Sequence, residues 1–304
     1  MMIKIKYGFA FLIVILAVVT SCKKDDGGDP DVIPPRPRGP EAVREQALIE
    51  EFLETHFYNY EEFQNPPVDF DYVVKFDTIA GDNASKTPLM TQVDSKEVKD
   101  HIDDDVTYKM YFLNVRQGLG DKPNFPDIVT ANYDGRLMNL DLFDSSVIPV
   151  NFDLTDNLIT GFREAFIEFN GAGTVVSNPD GTVSFEDYGI GAVFIPSGLG
   201  YYNYPPGNTG LGQYEQLIFS FHLYSTQLSD QDEDGVPSYM EDINNNQFEK
   251  DDDTDEDGIA NYIDVDDDND GRLTRDEIEI DANGNITFPD TDGDGTPDYL
   301  DENY

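Results

Sequence analysis

Leu158-Ile159-Thr160-Gly161-Phe162-Arg163-Glu164-Ala165-Phe166-Ile167-Glu168-Phe169 and, further on, Leu217-Ile218-Phe219-Ser220-Phe221-His222-Leu223 decide the fold. In the first run Ile159, Phe162, Phe166 and Phe169 are spaced by three and four, the period of a helix with one apolar face. In the second, Leu217, Phe219, Phe221 and Leu223 recur at every other position, the period of a strand, so four apolar side chains can be laid against that helix. Working outward, Asp127 to Tyr133 reads as a strand, then a turn, then a second strand ending in Phe143-Asp144-Ser145-Ser146; Val106 to Arg116 reads as another strand. The expected fold is α+β, an antiparallel sheet wrapped on one short helix.

This region is rich in aromatic and β-branched residues and poor in groups that attack a carbonyl or move a proton. The chain has 3 His and 1 Cys, and of these only His222 falls on an expected strand here. A concave apolar site without nucleophile or base suits a reaction that needs neither. Rotation about an X-Pro bond is such a reaction: its barrier of about 18–20 kcal/mol comes from amide resonance, and removing the amide from water favours the twisted state.

The order of short motifs resembles the FKBP-type peptidyl-prolyl isomerases, in their exported bacterial branch. The matching runs are Arg116-Gln117-Gly118-Leu119-Gly120, Pro123, Asp127-Ile128-Val129, Tyr133-Asp134-Gly135, Phe143-Asp144-Ser145-Ser146, Leu158-Ile159-Thr160-Gly161-Phe162, Ile195-Pro196-Ser197-Gly198-Leu199-Gly200-Tyr201 and Leu217-Ile218-Phe219. The resemblance implies a pocket made by Tyr133, Phe143, Asp144, Val150, Leu158, Ile159, Phe162, Tyr201 and Phe219, with no cofactor for catalysis and proline-containing polypeptides as clients. Phe162 stands where the family usually has a Trp floor, Val150 where many members have an aromatic wall, and Leu140 at a turn that favours Gly; both pocket replacements imply a shallower site. An insertion, about Gly171 to Asp187, lies between helix and next strand. Phe143, Ile159, Phe162 and Phe219 would be buried in any small α+β core. Tyr133, Asp144 and Tyr201 say more, because a core has little use for polar tips that nothing pairs with.

Upstream, Met1 to Ser21 has Lys4 and Lys6 followed by an apolar run from Phe9 to Val19, too short to span a bilayer comfortably, and reads as a secretory signal. Thr20-Ser21 before Cys22 resembles a bacterial lipobox, which implies lipidation at Cys22 and a membrane anchor through it; a single Cys also means no internal disulfide. Lys23-Lys24-Asp25-Asp26 resembles the charged signal that sends Bacteroidota lipoproteins to the cell surface; a solvated start of the tether is the other reading. Residues 22–40 are then anchor and linker. Within a helical and extended region at 41–105, Glu41 to Tyr58 reads as a helix serving dimers, clients or packing onto the next domain, Val68 to Ile79 as a strand pair and Lys96 to Asp105 as a charged connector. The isomerase-like domain is 106–228.

The formal charge of −43 excludes nucleic acid as a partner, and more than half of it lies from Asp230 onward, where 28 acidic residues face 3 basic ones. Four windows in 229–304 fit a twelve-residue calcium loop, with oxygen ligands at positions one, three and five, Gly at six, an oxygen-bearing side chain at nine and a carboxylate at twelve. Their carboxylates are Asp230, Asp232, Asp234 and Glu241; Asp253, Asp255, Asp257 and Asp264; Asp266, Asp268, Asp270 and Glu277; Asp290, Asp292, Asp294 and Asp301. Asp242-Ile243-Asn244-Asn245-Asn246 and Asp281-Ala282-Asn283-Gly284-Asn285 read as degenerate half-loops. No helix precedes the loops, so paired EF-hands are not expected; the tail resembles thrombospondin type-3 repeats, in which calcium is structural. The sequence thus points to an outer-membrane lipoprotein, surface-exposed or periplasm-facing, with isomerase activity. The alternatives are a proline-segment binder or chaperone of little activity, or a surface adhesion or spacer protein.

Overall fold

Six antiparallel strands form the sheet on which the rest is placed. In the computed structural model, which describes residues 34–155, 158–207 and 209–303, the chain runs through α1 (Arg38–Thr55), β1 (His56–Tyr58), α2 (Tyr60–Gln64), β2 (Phe76–Thr78), β3 (Asp94–Lys99), β4 (Thr107–Arg116), β5 (Ile128–Leu137), β6 (Leu142–Asp153), α3 (Thr160–Phe166), β7 (Thr174–Ser177), β8 (Val183–Glu186), β9 (Gly189–Ile195), β10 (Leu217–Gln227), β11 (Glu279–Ile280) and β12 (Ile286–Thr287). The spatial order is β3-β4-β9-β10-β5-β6.

The alternation of β10 divides its side chains between two cores. Leu217, Phe219, Phe221 and Leu223 pack with Phe162, Ala165 and Phe166 of α3, Phe162 stacking on Phe219 with centroids 4.5 Å apart. Each such phenyl, removed from water, contributes about 1.5–3 kcal/mol. Gly161 lets the helix sit this low: a Cβ there would lie 2.5 Å from the Ile195 side chain. On the other face Ile218 joins Tyr111, Leu113, Ile190, Ala192 and Phe194 beneath Ile49, Phe52 and Leu53 of α1. The sheet is therefore covered on both faces, and α1 is a packing helix. The buried Glu45 carboxylate pins it by accepting from Ser197 N at 2.8 Å and Ser197 Oγ at 2.6 Å.

Several boundaries differ from expectation. The hairpin after β5 turns at 138–141, and Phe143-Asp144-Ser145-Ser146 opens β6 instead of ending it. Leu140 takes the left-handed backbone with φ +70°, which costs about 1–2 kcal/mol; its side chain packs against the α1-side core, and hydrophobic packing there holds a turn that glycine would have signalled. The helix expected over Leu158 to Phe169 is regular only over Thr160–Phe166. Lys96 to Asp105 is not all connector, since β3 pairs with β4 from Asp94↔Phe112 to Lys99↔Thr107. The strand pair expected over Val68 to Ile79 reduces to Phe76–Thr78 pairing with His56–Tyr58, because Asp69 and Tyr72 at φ +64° and +56° break the extended run. The insertion after α3 forms the exposed hairpin β7–β8.

Beyond β10 the chain is a series of single 3₁₀ turns, at Ser238–Met240, Glu249–Asp251, Asn261–Ile263, Thr274–Asp276 and Asp298–Leu300. Asp281-Ala282-Asn283-Gly284-Asn285 is the turn of the small β11–β12 hairpin. The tail is docked on the sheet domain: Ser229 N donates to Asp127 Oδ1 at 3.2 Å, Gln231 Nε2 donates to Thr155 Oγ1 at 3.1 Å, and the Phe248 ring stacks on His101 at 4.5 Å. Residues 37–304 are one compact unit.

Candidate functional site

Tyr133 on β5 is the centre of an aromatic cluster at the open end of the α3 face. Its ring meets Phe152 at 5.6 Å, Phe162 at 5.8 Å and Phe219 at 5.9 Å, within the range of favourable edge and tilted aromatic contacts. The neighbouring Gly135 stands opposite Asp144, and a Cβ on it would lie 2.8 Å from Phe143 and 2.9 Å from Phe219. Glycine thus lets Phe143 cross the strand and meet Phe219 edge-on at 5.5 Å.

The polar edge of the cluster is Tyr133, Asp144 and Tyr201. Tyr133 Oη donates to Asp144 Oδ2 at 2.9 Å. Burial, then the hydrogen bond and charge of Asp144, raise the Tyr133 phenol above its ordinary value, and burial followed by the same carboxylate raises Tyr201. Both phenols therefore remain proton donors at neutral pH. Such a rim can donate to a peptide carbonyl from Tyr201 and accept a peptide N–H at Asp144, while the rings below offer an apolar seat for a pyrrolidine.

Of the nine pocket positions carried over by resemblance, Tyr133, Phe143, Val150, Leu158, Ile159 and Tyr201 are half-buried and Asp144 is exposed. Phe162 and Phe219 are 2% and 3% exposed. Phe162 is therefore not an open floor. Phe152 closes against it at 5.6 Å, and it can do so because β6 runs on to Asp153 instead of stopping at Ser146. Phe152 was missed in the sequence; with the hairpin placed at 138–141 it falls two residues after Val150, on the same face. His222 belongs to the opposite face, with Nε2 2.9 Å from the Tyr72 carbonyl and its pKa lowered by burial. It borders a cavity of about 270 Å³ with Tyr188, Tyr224, Asn132 and Asp71, whose lining also includes Tyr133 and Phe221.

In the tail, the carboxylates at positions one, three and five converge in each of the four windows: Asp230, Asp232, Asp234; Asp253, Asp255, Asp257; Asp266, Asp268, Asp270; and Asp290, Asp292, Asp294 each bring oxygens within 4.8 Å of one another. Position five accepts from the N–H at position seven, at 2.7 Å for Asp234 and Val236 and 2.8 Å for Asp257 and Ile259 and for Asp294 and Thr296. One oxygen of Asp232, Asp234, Asp255 and Asp268 is left buried with no hydrogen-bond partner. These orphaned inward oxygens, all hard donors, fit calcium. The side chain at position nine instead braces the loop from within, since Ser238, Asn261, Thr274 and Asp298 accept from the N–H at position two, at 3.3, 3.0, 3.2 and 2.8 Å. Of the twelfth residues, only Glu241 joins such a group among the described residues; Asp264, Glu277 and Asp301 do not.

The segment from Asp242 is more than a half-loop. Asn245 and Gln247 hold φ +57° and +63°, matching Glu256 at +59° and Gly258 at +96° in the next window. Gln247 N donates to Asp242 Oδ2 at 2.9 Å, as Gly258 N does to Asp253 at 3.0 Å and Gly295 N to Asp290 at 3.1 Å. It lacks the glycine at position six that marks the other loops in sequence. The signal segment, Cys22 and Lys23-Lys24-Asp25-Asp26 lie outside the described residues. Among those described, no helix is long and apolar enough to cross a membrane.

The family described as BamM C-terminal matches residues 231–289. Among solved structures, the chain is similar to a peptidyl-prolyl cis-trans isomerase from Pseudomonas syringae, at 22% identity over 39% of this chain and 75% of that one, TM-score 0.32. FkpA from Escherichia coli matches at 18% identity over 62% of each chain, TM-score 0.34. The N-terminal domain of FKBP42 from Arabidopsis thaliana matches at 13% identity over 44% of this chain and 94% of that one, TM-score 0.33. Superpositions at these scores are too loose to carry a function across.

Proposed function

We propose that the chain is a peptidyl-prolyl cis-trans isomerase acting without covalent chemistry on proline-containing segments of other polypeptides. The observation that carries this is the Tyr133 to Asp144 hydrogen bond at the rim of the Phe143, Phe152, Phe162 and Phe219 cluster. The rim orients the peptide backbone, Tyr201 donating to a carbonyl and Asp144, held by Tyr133, accepting an N–H. The rings beneath remove the X-Pro amide from water and so lower the cost of twisting it. No base is needed, and His222 is engaged on the far face.

A second reading, binding without appreciable catalysis, is favoured by one specific observation: Phe162 is closed over, so the seat for proline is shallow. In either case the acidic loops take calcium as structural ions, and Cys22 carries the lipid that tethers the protein to the outer membrane, facing the surface or the periplasm. The deciding experiment follows a refolding reaction limited by X-Pro isomerisation, a step of tens of seconds or more uncatalysed. Acceleration by the lipid-free protein supports the first reading. Rates equal to buffer, together with measurable binding of proline peptides, support the second.

A further inference from the structure

Between the first and third acidic loops lies a group of carboxylates that the twelve-residue spacing does not contain. Asp234 and Glu241 come from the first loop; Asp267, position two of the third, comes from a site that no loop pattern uses for a ligand. Their oxygens all lie within 4.8 Å of one another. The three residues are 3%, 0% and 1% exposed. Asp234 Oδ2, both oxygens of Glu241 and both of Asp267 are closed to solvent, and none accepts a hydrogen bond. Three carboxyl groups brought together in a dry space repel one another and forfeit their hydration, which is strongly unfavourable unless something opposite in charge sits among them.

We propose that Asp234, Glu241 and Asp267 hold one divalent cation of the calcium class, which ties the third acidic loop to the first. This rests on the calcium reading of the tail and deepens it. The donors are carboxylate oxygens with no nitrogen or sulfur, which suits a hard cation; the bidentate capacity of Glu241 and Asp267 suits the six to eight ligands of calcium. Asp234 also belongs to the first loop's own group with Asp230 and Asp232, so the bridging ion shares that ligand with the loop. Asp267 N is held by Thr274 Oγ1 at 3.2 Å, which leaves its side chain free to turn away from its own loop. The second loop lies between the two tied loops in sequence, so the ion makes the first three order together.

The test uses Asp267→Asn in the otherwise intact chain, with Asp276→Asn, exposed in the same loop, as the control. Bound calcium is counted by equilibrium dialysis, and thermal stability is read with calcium and with chelator. The expected result is one ion fewer per chain, a calcium midpoint raised about tenfold, and a reversal of sign. The variant melts below wild type in calcium, where it lacks the ion, and above it in chelator, where it lacks the repulsion. Glu241→Gln, which neutralises the first loop's contribution, must reverse sign in the same way. A purely structural Asp267 would lower the melting temperature in both conditions and leave the ion count unchanged, and that result overturns the bridge while the loops keep their calcium. Absence of calcium binding by the wild-type chain overturns the bridge and the calcium reading together.

Discussion

Arg163 on α3 and Glu249 in the acidic tail face each other, Nη1 to Oε1 3.8 Å apart, with side chains 6% and 0% exposed. Burial lowers the arginine's pKa and raises the glutamate's, in each case ahead of their mutual attraction. The pair joins the tail to the helix that carries Phe162. Removing one partner leaves the other charge buried alone. Glu249→Leu is therefore expected to cost about 3–5 kcal/mol, and the double change Arg163→Met, Glu249→Leu to recover most of it. A denaturant double-mutant cycle measures this, and equal losses in single and double variants would remove the argument.

Chelation should act on the sheet domain through the same contact. With the tail loosened, Arg163 loses its partner, so chelator is expected to lower the melting temperature of wild type and to have little additional effect on the double variant. Additive effects would mean that the tail and α3 are independent.

At the aromatic rim, Tyr133→Phe removes one hydroxyl and keeps the ring. Its hydroxyl donates to an exposed carboxylate, so stability should stay within about 0.5 kcal/mol, while kcat/KM for a proline peptide falls about 5- to 10-fold because Asp144 is no longer held toward the peptide. A variant with full activity would place the chemistry elsewhere.

Phe162→Trp tests whether a larger floor is possible. The resemblance implies that indole would deepen the pocket. With Phe162 closed beneath Phe152, stacked on Phe219 and tilted against Phe166, the extra ring has to displace its neighbours, at about 1–3 kcal/mol. A lower melting temperature without a gain in isomerisation is expected. A faster enzyme of unchanged stability would show that the cluster opens.

His222 gives the fold a response to acid. Its ordinary value of 6.5 is lowered in the folded state, first by burial, so below 6.5 the unfolded chain binds a proton that the folded chain refuses. Its contribution is thus present above about pH 6.5 and is lost as pH falls toward the depressed folded value. His222→Gln should cost stability at pH 7.5 and progressively less toward pH 5, measured by urea unfolding at each pH; a gap constant with pH would assign the loss to packing alone.

The two runs that decide the fold were legible because their periods are uncontaminated: four alternating apolar residues on β10 and a three–four spacing on α3. The hairpin at 138–141 was not, because its left-handed residue is Leu140, held by packing that comes from residues distant in sequence. That error hid Phe152, and with it the closure of Phe162. The role of α1 was undecidable for a different reason: an apolar helix face does not name what it packs on. In the tail, spacing located the four sets of carboxylates, whereas Asp267 was invisible to any pattern within one loop, since its neighbours Asp234 and Glu241 are brought to it by the tertiary path. The Asp242 loop was underestimated because Asn245 and Gln247 take backbone angles that glycine usually advertises.

Covering the sheet on both faces has a consequence in time. Glu45 and Ser197 lie 152 positions apart, and at a synthesis rate of about 5–20 residues per second α1 waits roughly 8–30 s for that anchor. Until β9 and β10 arrive, Ile49, Phe52 and Leu53 lack Ile190, Ala192, Phe194 and Ile218 and have only the earlier part of their core, so α1 is made early and fully seated late. A protein proposed to assist the folding of others would itself be a slow and vulnerable client during its own synthesis.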